Sequence, residues 1–154
     1  MPPAAPPAAA EIPAPAAAGL RALIVFFETL SPDSVAQIGS IYAPDARFRD
    51  PFNEVQGVPA IARIFVDMFE RTRGPRFVIT GSVQQGHEAF VTWDFHFGSG
   101  GNAMRIQGCS QLHFDAQGRV DVHRDYWDAA GELYEKLPLL GGLMRALKRR
   151  LTAH

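Results

Sequence analysis

Tyr42-Ala43-Pro44-Asp45-Ala46-Arg47-Phe48-Arg49-Asp50-Pro51-Phe52 reads as a helix end, a turn and a short strand that closes on Asp-Pro. In that strand Phe48 and Asp50 fall on one face and Arg47 and Arg49 on the other, because successive strand residues point to opposite sides. A second stretch, Arg124-Asp125-Tyr126-Trp127-Asp128, ends a strand with a carboxylate and two aromatics just before a helical pattern.

Outward from the first stretch, Leu20, Leu23, Ile24, Phe27 and Leu30 recur at helical spacing and predict a helix over 19–31. Ser31-Pro32-Asp33 ends it and starts a short second helix running to about Tyr42, with Ser31 as cap and proline in the first turn. Ile61, Ile64, Phe65, Met68 and Phe69 predict an amphipathic helix over 60–73. From residue 76 the period changes to two. Strands are expected over 76–85, 88–98, 103–114 and 119–127, with turns at Gln85-Gly86, Gly98–Asn102 and Asp115–Gly118. Helices followed by a strand meander give an α+β class, with a curved antiparallel sheet wrapped around the helices.

The first 18 residues hold 15 Ala or Pro, which predicts a disordered or extended tail, and the remaining residues 19–154 are expected to form one domain. Proline interrupts every apolar run there and no basic start precedes it, so no signal peptide is expected. Fifteen basic against 16 acidic residues give a net charge of −1, which carries no signature of nucleic-acid binding. The lone Cys109 excludes an internal disulfide and makes a reducing cytoplasm the simplest home. No apolar run is long enough to span a membrane. Residues 138–151 form a basic amphipathic helix in this reading, with Pro138 and Gly141-Gly142 as its hinge. Packing over the domain's open end is favoured over contact with a membrane or a partner groove.

The two opening stretches together resemble the nuclear transport factor 2-like superfamily, a cone-shaped α+β fold that includes ketosteroid isomerases and SnoaL-like polyketide cyclases. The resemblance implies an apolar cavity with a carboxylate at its base. It also decides the last strand, whose alternation alone is ambiguous, by putting His123, Asp125 and Trp127 on the concave side. Asp50 falls where ketosteroid isomerases keep their base. Their oxyanion tyrosine would match Phe26, which has no donor, and their protonated aspartate would match Ser110, which has one.

A carboxylate in an apolar cavity loses hydration and becomes a competent base, and an imidazole beside it exchanges protons near neutral pH. Asp50 as base, His123 as shuttle and Asp125 as its orienter or second acid would therefore suit a cofactor-independent isomerisation, cyclisation or dehydration of an apolar carbonyl compound. Phe26, Tyr42, Phe48, Trp93, Phe95, Phe97, Ser110 and Trp127 are the expected ligand-lining residues. No metal site is expected, since the His123-x-Asp125 spacing lacks a further inward histidine. Each residue also has a plainer reading: Asp50 as a turn cap, His123 as a satisfied buried histidine, and Asp125 as a structural partner. The rival functional reading is a non-catalytic binding module, homodimeric through a polar sheet face that carries Thr92, Asp94, His96, Arg105, Gln107, Gln111 and His113.

Overall fold

A computed structural model describes residues 8–132 of the chain. Helix α1 (Ala14–Glu28) is followed by a 3-10 helix (Ser34–Ser40), strands β1 (Tyr42–Arg49) and β2 (Glu54–Gln56), and helix α2 (Val58–Arg71). Then come β3 (Arg76–Gln85), β4 (Glu88–Phe97), β5 (Met104–Phe114), β6 (Val120–Trp127) and a single turn of helix, α3 (Ala129–Glu132). The expected helix over 138–151 lies outside the described residues.

The six strands form one open sheet in the order β2-β1-β6-β5-β4-β3. Tight turns join β3 to β6 as the expected antiparallel meander. The first strand is different: β1 runs parallel to β6, with Phe48 opposite His123 and Arg49 opposite Arg124. The sheet is therefore mixed, and its parallel pair joins the first long strand of the chain to the last. This is the α+β cone fold, with α1 and α2 packed on the concave face.

Three boundaries differ from the sequence expectation. Helix α1 starts at Ala14, inside the segment expected to be a disordered tail. Alanine is the best helix former and a proline in the first turn costs nothing, so Ala14–Ala18 can join a helix that has something to pack on. That something is the β5–β6 turn. Gly118 takes a left-handed φ of 80° there, and a side chain on Gly19 would strike its carbonyl and the Phe114 ring. Two glycines thus let helix and turn touch, and Ala16 is fully buried beside them.

The second helix is a 3-10 helix held by a reciprocal pair, Ser34 N–H to Ser31 Oγ (3.2 Å) and Ser31 N–H to Ser34 Oγ (2.9 Å). It stops before Tyr42, which becomes the first residue of β1 rather than a helix end. A bulge between Tyr42 and Arg47 absorbs Pro44, which has no N–H for the ladder. The edge strand β2, absent from the sequence reading, covers the free side of β1.

The core lies between the helices and the concave face. Phe27 of α1 meets Phe65 of α2 at 5.6 Å and Phe77 of β3 at 5.4 Å between ring centroids, and Leu23, Ile61, Val91, Leu112 and Phe114 fill the layer. Apolar burial of that kind contributes about 1.5–3 kcal/mol per large side chain.

Candidate functional site

The concave side of β6 owes its composition to a register shift. His113 pairs with Val122 but Phe114 pairs with Val120, so one residue of β6 is extra. Val120 and His123 consequently both point inward, which simple alternation forbids. Beyond the shift the period of two resumes and puts Asp125 on the same side as His123, as the family resemblance implied.

His123 is 2% exposed, and it and Ser110 are the buried polar residues among those described. Phe48 and Phe27 pack on the imidazole at 4.8 and 6.1 Å between centroids, and the Tyr42 ring lies parallel to it at 5.9 Å. In such surroundings an unpaired ring nitrogen would be costly. Neither is unpaired. Tyr42 Oη sits 2.7 Å from Nδ1, and Asp125 Oδ1 sits 2.7 Å from Nε2.

The network continues across the sheet. Ser110, opposite Asp125 in the ladder, donates from Oγ to the same Oδ1 at 2.5 Å and accepts the indole N–H of Trp93 at 2.9 Å. Trp93 can reach it because its ring lies over Gly108, where a side chain would collide with the indole. Tyr42, His123, Asp125, Ser110 and Trp93 thus form one continuous chain of polar contacts.

Proton positions follow from the partners. Asp125 as a carboxylate can only accept, so Nε2 donates and a neutral imidazole leaves Nδ1 to accept from the Tyr42 hydroxyl. Burial pushes the Tyr42 hydroxyl well above the usual phenol range, and the negative charge of Asp125 adds to the shift. Tyr42 therefore remains a protonated donor at every physiological pH. Both hydrogen bonds to Asp125 fall on Oδ1; Oδ2 has no partner among the described residues, and the side chain is 17% exposed.

Two spaces adjoin this network. A cavity of about 20 Å³ lies between α1, β3, β4 and the network, lined by Leu23, Phe27, Phe77, Ile79, Val91, Trp93, Ser110, His123 and Asp125. It has room for about one water molecule, not for a polycyclic ligand. A larger hollow of about 490 Å³ opens where β1 and β6 end, bordered by Arg49, Asp50, Pro51, Arg124, Asp125, Tyr126 and Trp127.

The expected site residues divide accordingly. Tyr42, Phe48, Trp93, Ser110, His123 and Asp125 are gathered around the network. Trp127 stands at the hollow, with Phe52 against it at 5.5 Å. Phe26 is packed in the core against Phe27, and Phe95 and Phe97, stacked beyond Phe77, do not line the small cavity. Leu23, Phe27, Phe77 and Ile79 take their places as lining. Alternation along Arg76–Gln85 carried the signal for Phe77 and Ile79.

Asp50 borders the hollow with Asp125 but is engaged in its own turn. Its carboxylate accepts from the backbone N–H of Phe52 (2.7 Å) and Asn53 (2.6 Å) and from the Asn53 amide at both oxygens. That is the Asx-type geometry in which an aspartate stands in for backbone.

On the outer face of the sheet the polar residues pair within the chain. Asp94 receives Arg105 (3.8 Å) and Gln107 (3.4 Å), Thr80 bonds Thr92, and His113 meets Asp121 at 2.6 Å. Cys109 lies there half-buried, its thiol pushed up by burial and then by Asp125. Among the described residues no His, Cys, Asp and Glu side chains cluster in a way that could hold a metal ion. No described helix is long and apolar enough to cross a membrane.

The family model of the SnoaL-like domain matches residues 23–123, from the middle of α1 to the buried histidine. The chain belongs to the SnoaL-like family. Solved structures share its fold at low identity. An LEH-like epoxide hydrolase of Mycobacterium tuberculosis is 19% identical, with a TM-score of 0.62 over 88% of this chain and 96% of that one. A protein with a ketosteroid isomerase-like fold from Catenulispora acidiphila, solved with trimethylamine, is 13% identical, with a TM-score of 0.63 over 80% and 92%. An NTF2-like protein of unknown function from Burkholderia pseudomallei is 15% identical, with a TM-score of 0.64 over 77% and 95%. No curated protein sequence matches the chain.

Proposed function

We propose that this SnoaL-like domain binds a small apolar carbonyl compound in the hollow beside Asp125 and moves a proton on it without a cofactor. The observation that carries the reading is Oδ2 of Asp125, free among the described residues, next to an Oδ1 that His123 and Ser110 already hold. Oδ2 would take the proton from the carbon next to the substrate carbonyl. Two donors on Oδ1 fix the carboxylate, His123 is held in its donating tautomer by the Tyr42 hydroxyl, and Oδ2 would return the proton to another atom of the substrate. Asp50 then contributes the hollow's rim rather than the base. Isomerisation, cyclisation and dehydration share this first step, so the proposal commits to proton abstraction and to a carbonyl substrate class.

Deuterium exchange tests it. Purified protein in D2O is incubated with a panel of cyclic ketones, and exchange next to the carbonyl is followed by NMR. Catalysed exchange that falls ~10²–10⁴-fold in Asp125→Asn is the expected result. Exchange no faster than buffer across the panel, or unaffected by Asp125→Asn, would overturn it.

A second reading, a homodimeric binding module without turnover, draws on a different surface. Val83 and Phe90 are cross-strand partners on the outer face, 67% and 41% exposed, and Tyr126 is 43% exposed on the same sheet. An exposed cross-strand apolar pair such as Val83 and Phe90 suits burial against a second copy. Light scattering coupled to gel filtration decides it: a monomer at ~100 μM, or a dimer that survives Phe90→Glu, would count against this face.

A further inference from the structure

Arg47, Arg49 and Arg124 form an outward-facing cluster that the acid/base network does not use. Arg47 and Arg49 alternate on β1, ~7 Å apart along the strand, and Arg124 is the direct ladder partner of Arg49 on β6. Adjacent strands lie ~5 Å apart, so the two bases of these side chains are neighbours with like charge, an arrangement that destabilises a sheet. Among the described residues none of the three makes an ion pair or a side-chain hydrogen bond. Arg124 instead stacks its guanidinium on the Tyr126 ring at 4.6 Å. Stacking uses the flat face of the guanidinium and leaves its N–H edges free.

The cluster surrounds a space. A groove of about 480 Å³ is lined by the three arginines together with Glu54, Gln56 and Val122. That volume lies in the small-molecule range. Three guanidiniums against one carboxylate leave an excess of two positive charges, and Glu54, the ladder partner of Arg49 on β2, does not reach it as an ion pair. On the far side of Arg49 and Arg124 the hollow carries Asp50 and Asp125, whose charge would repel an anion from that direction. The favourable position is therefore on the Arg47 side.

We infer that this groove is a binding site for the phosphoryl group of a small dianionic ligand. Guanidinium forks match phosphoryl oxygens in pairs, three of them suit a group with three terminal oxygens and two charges, and a bound dianion removes the repulsion between Arg49 and Arg124. A monocarboxylate offers one charge and two oxygens, and would leave the cluster half neutralised. The inference is independent of any turnover at Asp125.

The test titrates the full chain with methyl phosphate at pH 7, a dianion with three terminal oxygens, read by calorimetry and by the NMR signals of arginine Nε–H at low ionic strength. Saturable one-to-one binding is expected, with shifts confined to Arg47, Arg49 and Arg124. Arg49→Gln and Arg124→Gln should each weaken it at least ~10-fold, the size of one lost charge-assisted contact. Arg73→Gln, on an exposed arginine outside the groove, should leave it unchanged. The three variants replace surface residues, and their thermal midpoints are recorded to establish that each is folded. No saturation by ~10 mM, or equal affinity in wild type and both groove variants, would overturn the inference. So would equal weakening by Arg73→Gln, which would mean diffuse attraction to the whole surface.

Discussion

His123 Nε2 lies 2.7 Å from Asp125 Oδ1, two residues further along the same face of β6, while its Nδ1 meets Tyr42 Oη at 2.7 Å from the opposite side. One imidazole therefore links a buried phenol to a partly exposed carboxylate. The arrangement has consequences that can be measured.

Tyr42→Phe keeps the ring stacked on His123 and removes only its hydroxyl. Nδ1 is then left without its donor in a buried site, which costs ~1–3 kcal/mol. Urea unfolding followed by circular dichroism should show that loss. A change below ~0.5 kcal/mol would mean that water or a second partner replaces the phenol.

The same hydroxyl governs alkaline behaviour. Its folded pKa is raised well above 10 by burial first and by Asp125 second. Above pH ~10 the unfolded chain releases the phenol proton and the folded one keeps it, so the unfolded state binds fewer protons and stability falls as pH rises. Below pH ~10 the contribution is fully present. Denaturant midpoints between pH 9 and 11.5 should fall more steeply for wild type than for Tyr42→Phe. Parallel curves would contradict the assignment.

Gly108→Ala puts a methyl group into the Trp93 indole. The ring must leave its place over the strand, and its N–H then loses Ser110 Oγ. Overpacking of this kind costs ~1–3 kcal/mol. The expected readout is a lower thermal midpoint with a red shift in tryptophan emission, and an unchanged spectrum would show that the sheet yields instead.

Asp50→Ala deletes an acceptor for two backbone N–H groups and the Asn53 amide, and should cost ~1–2 kcal/mol. Asp50→Asn retains an acceptor oxygen and should keep most of the stability. If Asp50 serves the turn, Asp50→Asn also leaves deuterium exchange within about twofold of wild type. A collapse of exchange in a stable Asp50→Asn protein would restore it as the base.

Strand positions from Arg76 to Trp127 were legible because alternation and turn glycines act locally, and β3 begins and ends where they place it. The helix at Ala14 was not, since an Ala-Pro run is ordered here only by a tertiary contact with the Gly118 turn. His123 and Asp125 could be placed inward only by family resemblance. The register shift at Phe114 and Val120 arises between two strands and leaves no mark in either one's period. Tyr42 was expected as lining, yet its hydroxyl completes the imidazole's contacts, because a partner 81 residues away in the chain cannot be read from spacing.

That separation also sets an order of events in the cell. Strand β1 leaves the ribosome before its parallel partner β6, the last of the described strands. At ~5–20 residues per second, β1 waits roughly 4–16 s for its neighbour. Throughout that interval only the short β2 can shield it, and long-range closure of this kind is slow even afterwards. The contacts between the imidazole and its two oxygen partners thus form only after β6 is made, which makes a nascent chain stalled before Val120 an unguarded sheet edge.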